Sequence, residues 1–166
     1  MARSQFLWRC SRRRFVALAC ALVVPFPASG ATETRPLPTG FDAARDPAQD
    51  LAAALRIAQA TRRRVLVEVG GDWSTWSRAM DRFFGAQPEL KRIRDANFVW
   101  LKVNFSKDNP NAGFLARWPK VANYPHLFVL DADGRLLQSQ DSASLEAGKD
   151  YDPKKFRAFL DSWSLR

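Results

Sequence analysis

The chain has 166 residues, the length of one domain with a margin, and 46% of it is apolar, enough for a packed core. Its formal charge of +9 invites a nucleic-acid reading until it is divided along the chain. Residues 1–31 carry Arg3, Arg9, Arg12, Arg13 and Arg14 and no acid; without those five arginines, 21 basic residues face 17 acidic ones, and nucleic acid drops out as an expected partner.

Residues 1–31 have the layout of a signal peptide. A basic front ends at Arg14, an apolar run spans Phe15 to Val24, and Ala28-Ser29-Gly30-Ala31 offers small residues for cleavage. The apolar run is about half of the ~20 residues a spanning helix needs, so no stable membrane span is expected after cleavage. Ser11-Arg12-Arg13-Arg14-Phe15 resembles the twin-arginine export motif, the alternative being an ordinary general-secretion signal with an arginine-rich front; either implies export, with the bacterial periplasm as the expected destination. Both cysteines, Cys10 and Cys20, lie in this leader, so packing alone must hold the exported domain.

Residues 32–45 read as an extended linker; Thr32 to Gly40, with Pro36 and Pro38, offers no evident core residues. The domain is expected over 46–166. Asp46-Pro47-Ala48-Gln49 is a helix start with a cap, a proline at the first position and a capping-box glutamine, and Leu51, Ala54, Leu55 and Ala58 then recur on one face. Arg62, Arg63 and Arg64 are expected to close that helix, where cations suit the dipole; no aromatic stacking platform sits beside the triplet. Val65 to Val69 is a nearly continuous apolar run, as in a buried strand, ended by Gly70-Gly71.

Helices are predicted over Ser74–Phe84 and Pro88–Ala96, a strand over Asn97–Phe105 and a short helix over Asn111–Trp118. Leu127–Leu130 and Arg135–Gln138 read as a hairpin around Asp131-Ala132-Asp133-Gly134. Asp152-Pro153 opens a last helix with Phe156, Phe159, Leu160 and Trp163 inward. A strand, helix, strand succession requires parallel pairing, and the final hairpin adds antiparallel strands. The predicted class is α/β, a central mixed sheet flanked by helices.

Three segments then carry a resemblance to the thioredoxin superfamily over about residues 46 to 164. Val65-Leu66-Val67-Glu68-Val69-Gly70-Gly71-Asp72-Trp73-Ser74-Thr75-Trp76-Ser77 is similar to the family's strand, tryptophan and Cys-x-x-Cys helix start, with Ser74 and Ser77 at the cysteine positions. Asn123-Tyr124-Pro125-His126 resembles the loop whose cis-proline faces the active site. The Asp133-Gly134 hairpin and terminal helix follow in the family's order. The resemblance implies a thioredoxin-like fold and assigns Glu68 to the position of a buried carboxylate that exchanges protons with the second cysteine. On its own chemistry, Glu68 either lies buried with a raised pKa or sits solvated at a wet strand end.

Serine cannot replace that dithiol. A hydroxyl resembling water, with a pKa of ~15.7, lies 8–9 units above neutrality, or roughly 12 kcal/mol. A helix dipole supplies at most ~2 kcal/mol. Intrinsic thiol–disulfide activity, and any catalytic residue of that kind, is therefore not expected. A serine nucleophile served by His126, the only histidine, has no Gly-x-Ser-x-Gly elbow to support it. One histidine and no mature cysteine exclude the usual zinc sets, Asp131-x-Asp133-Gly134 lacks the distal glutamate of a calcium loop, and no cofactor is expected. What remains is a surface: Trp73, Trp76, Tyr124 and Pro125 could bind a polypeptide or envelope-protein client. Otherwise one tryptophan, Trp73, packs on the core and leaves Trp76 merely exposed. The rival functions are an oxidoreductase working through a partner's thiols, a serine-based enzyme and a degenerate paralogue kept for structure.

Overall fold

The computed structural model describes residues 35–165. The signal peptide expected over residues 1–31, with Cys10 and Cys20, lies outside those residues. The first helix, α1 (Pro47–Thr61), starts as its sequence dictates: the Asp46 carboxylate accepts from the Ala48 and Gln49 amides, and Pro47 opens the first turn. The arginine triplet does not extend it. Arg62 caps the helix in a left-handed conformation with φ 53°, and Arg63 turns its guanidinium to the Asp95 carbonyl at 2.9 Å. Arg64 begins strand β1 (Arg64–Gly70) and donates to the Trp163 carbonyl. Arg63 and Arg64 tie separate elements together, where the sequence alone assigned all three cations to one helix dipole.

Helices α2 (Thr75–Ala86) and α3 (Pro88–Asn97) lead to strand β2 (Phe98–Asn104), the short helix α4 (Ala112–Leu115), and the hairpin of β3 (His126–Leu130) and β4 (Leu136–Asp141). A 3-10 turn at Ser142–Leu145 and a two-stranded ribbon, β5 (Glu146–Ala147) with β6 (Asp150–Tyr151), precede the last helix, α5 (Pro153–Trp163). The main sheet has the order β2-β1-β3-β4; β1 and β2 are parallel, while β3 runs antiparallel to both β1 and β4.

Strand alternation divides the core between the two faces. Val65, Val67 and Val69 join Val99, Leu101 and Val103 under α1 and α4. Leu66, Phe98 and Trp100 join Met80, Phe83, Phe84 and Phe156 from α2 and α5 on the opposite face. Both β1 and β2 have helices against both faces, which explains their near-continuous apolar sequence.

Residues 36–45 are not a detached linker. Leu37 packs against the α1-side core, and Phe41 lies 4.4 Å from the Lys102 ammonium on the opposite face. Arg45 binds the Pro36 carbonyl and both carboxylate oxygens of Asp50, and Asn109 donates to the Ala43 carbonyl at 2.8 Å. Isolated apolar residues between prolines carry no periodicity, so this packing had no sequence signal.

Candidate functional site

The site is built where β1 ends and α2 begins. Gly70 ends the strand because nothing larger fits: a Cβ there would stand 2.5 Å from Ser77 Oγ and 3.1 Å from the Phe41 ring. Gly71 is equally confined, by the Trp73 indole at 2.5 Å and the Phe105 carbonyl at 2.9 Å. The chain then rises to Ser74, the N-cap of α2, whose hydroxyl accepts from the Ser77 amide at 3.2 Å. The same hydroxyl donates to the Tyr124 carbonyl at 3.1 Å, bridging the helix start to the opposite loop. The Tyr124–Pro125 peptide bond there is cis.

Ser74 and Ser77 are both buried. Ser74 is occupied in both directions, and Ser77 Oγ takes a long contact from the Gly71 amide at 3.5 Å. His126 is no base for either of them. It lies in the sheet, its Nε2 2.8 Å from Ser139 Oγ, and burial holds its pKa below the ordinary value. A nucleophile needs a base within hydrogen-bond reach, and among the described residues neither serine has one.

Glu68 is fully buried, which settles the two readings of that residue. Its register partner on β2 is Lys102, whose ammonium lies 3.4 Å from Glu68 Oε2. That approach is an ion pair without hydrogen-bond alignment: the lysine's short contact, 2.5 Å, goes to Asp81 on α2, and neither Glu68 oxygen has a hydrogen-bond partner among the described residues. Burial pushes the Glu68 carboxyl up to about 7; Lys102 pulls it down, and Asp81 works against Lys102. Arg94, sandwiched between the Phe84 ring at 4.5 Å and the Trp100 ring at 3.6 Å, adds a second buried cation nearby. Lys102 was missed in the sequence, although a charged residue facing inward from each of two apolar strands is a legible sign of a pair.

The aromatic surface differs from the expected one. Trp73, not Trp76, is the exposed tryptophan, at 56%. Its indole N–H donates to the Phe105 carbonyl at 2.6 Å, and its ring meets Tyr124 edge-on at 5.7 Å. Tyr124 in turn stacks on Phe105 at 4.3 Å. Trp76 packs against the core, its ring 5.3 Å from Tyr151, whose hydroxyl donates to the Trp76 carbonyl at 3.3 Å. Pro125 is buried and offers no surface. The expected set of Trp73, Trp76, Tyr124 and Pro125 thus reduces to Trp73 and Tyr124, joined by Phe105. Beside Trp73 a cleft of about 480 Å³ is walled by Phe105, Ser106, Lys107 and Asp108; a second, of about 340 Å³, opens beyond Tyr124 toward Leu115, Trp118 and Val121.

Among the described residues no three His, Cys, Asp or Glu side chains come together as metal ligands, and no helix is long and apolar enough to cross a membrane.

A mixed four-stranded sheet, a helix starting beside a cis-proline loop and a buried carboxylate in the strand that leads to that helix define a thioredoxin-like architecture. The profile of the thioredoxin-like family matches residues 46–132, and the chain belongs to that family. Its fold is similar to that of a disulphide isomerase from Xylella fastidiosa Temecula1, with a TM-score of 0.64 and 19% identity over 76% of this chain and 96% of that one. It is also similar to the oxidised C-terminal domain of DsbD from Neisseria meningitidis, with a TM-score of 0.53 and 18% identity over 71% and 96%. At these identities the fold is what is shared. Among curated proteins none matches the sequence.

Proposed function

We propose that the protein is an exported, redox-inactive thioredoxin-like module that binds extended polypeptide. The observation that carries this reading is the pairing of a chemically committed helix start with an exposed aromatic lip. Ser74 spends its hydroxyl on the Ser77 amide and the Tyr124 carbonyl, while Trp73 keeps an open indole face beside the stacked Phe105–Tyr124 pair. Exposed aromatics flanked by apolar clefts suit the side chains of an unfolded segment, and large rigid rings bind with little entropy loss. The leader supports export, with the periplasm as the compartment.

The experiment is a titration of the mature protein against a reduced, unfolded client, with the client's thiols counted before and after. Binding without any change in thiol content is expected. Trp73→Ala should weaken it by about thirtyfold, the effect of losing a hot spot worth ~2 kcal/mol. A folded Trp73→Ala protein that binds as well as its parent would remove the lip from the reading.

A further inference from the structure

Residues 36–45 bridge the two faces of the sheet beside the buried charges, which gives them a role beyond client binding. Phe41 covers the Lys102 ammonium at 4.4 Å and sits against Gly70; Lys102 in turn reaches Glu68. The segment is held at few points: Leu37 in the α1-side core, Arg45 on Asp50 and Pro36, and Asn109 on the Ala43 carbonyl. Its other residues are largely exposed. Segments with few buried contacts open locally without global unfolding.

We propose that residues 36–45 form a strap whose seating is coupled to the protonation of Glu68: seated, Phe41 seals the Glu68–Lys102 pair from water, and lifted, it admits water to the carboxylate and favours its ionised form. The charges facing Glu68 set the terms. Lys102 from β2 favours the carboxylate, Asp81 from α2 competes for that lysine, and Arg94 from α3 adds a positive field. From β6 the Tyr151 hydroxyl lies near but is held by the Trp76 carbonyl, and from β3 the register partner Leu127 brings no charge. Neither Glu68 oxygen is hydrogen-bonded, so ionising it under the seated strap leaves an ill-satisfied anion, which hydration relieves.

The sign follows from linkage. Under the strap the carboxyl titrates at about 7, whereas a hydrated glutamate titrates near ~4.3. Lifting releases a proton between those limits, so the opening constant rises with pH there, by up to about tenfold per unit, and levels off above about 7. The strap is seated most firmly in acid.

Amide hydrogen exchange of the mature protein between pH 5 and 7, normalised to intrinsic rates, tests this. Opening of residues 37–45 should rise on the order of tenfold per unit, while the amides of α5 exchange only through slower, global opening. Glu68→Gln, which cannot ionise, should hold the strap at its acid-level protection throughout. Arg45→Gln, remote from the charge pair, should raise strap exchange at every pH and keep the slope. A wild-type strap without slope, the same slope in Glu68→Gln, or α5 amides that exchange as fast as the strap amides would each overturn the coupling. Unchanged strap protection in Arg45→Gln would overturn the anchoring.

Discussion

Ser74 Oγ donates to the Tyr124 carbonyl at 3.1 Å, so one hydroxyl joins the start of α2 to the loop that faces it. Ser74→Ala removes both this bridge and the helix cap. A loss of about 1–2 kcal/mol is expected in urea unfolding. Ser74→Asp, which still caps but cannot donate to a carbonyl when ionised, should recover only part of it. An alanine variant within experimental error of wild type would mean that the bridge is idle.

Ser74 and Ser77 stand three residues apart at a helix start, where Cα atoms lie ~5–6 Å apart, inside the ~4.4–6.8 Å that a disulfide accepts. Ser74→Cys with Ser77→Cys should form an intramolecular disulfide in air. The thiol at position 74 should titrate below the ~8.5 of free cysteine because of the helix N-terminus. Adding Glu68→Ala should slow exchange if Glu68 takes the proton of the second thiol, the role the family resemblance implies. Thiol trapping across a graded dithiothreitol buffer checks all three; thiols that never pair would show that residues 73–78 do not have the geometry of the family's site.

Global stability should also report Glu68. Its carboxyl is raised in the fold, chiefly by burial, so its neutral form is the one the fold prefers. Stability is therefore fullest below about pH 4.5 and declines as pH climbs to about 7, by about 3 kcal/mol in all. Glu68→Gln should not share that decline. Urea midpoints at pH 4.5, 6 and 8 should diverge in the variant's favour as pH rises; parallel curves would contradict the burial of the charged form.

The two tryptophans should separate binding from folding. Trp76→Ala vacates a site against Tyr151 and should cost about 2–4 kcal/mol of stability. Trp73→Ala gives up an exposed ring and one hydrogen bond, about 1 kcal/mol, while weakening client capture. Melting curves and binding isotherms on both variants give the contrast, and a Trp76→Ala protein as stable as wild type would refute its place in the core.

The leader is tested through its arginines. Changing Arg12, Arg13 and Arg14 to lysine should block processing while general secretion still operates, since Arg13-Arg14 would otherwise serve as a shifted pair. Normal maturation of the triple variant would assign the signal to the general route.

The sheet and its helices were legible because β1 and β2 are apolar runs, β1 ending at Gly70-Gly71, and the helices carry capping residues and helical spacing. The Ser142–Tyr151 region was not: its Ser-Ala-Ser-Leu-Glu-Ala-Gly stretch has no period, and the ribbon turn depends on Gly148 at φ +68°. The site was legible in its serines and Glu68, whose places follow from motif spacing. Its surface was misjudged at Trp76, although Trp76, Met80 and Phe83 share a helical stripe that points inward. Trp73 precedes the cap and escapes that stripe. Phe105 lies just past the end of β2, and only the tertiary fold brings it to Tyr124.

A domain whose residues 35–165 contain no cysteine needs no oxidant to reach its final shape. Its folding requires neither glutathione nor an oxidising enzyme. Production in a reducing cytosol should therefore give the same protein as production outside it. A thiol introduced into residues 35–165 would be the sole one of that segment, which makes the domain a silent background for labelling partners that do carry cysteine.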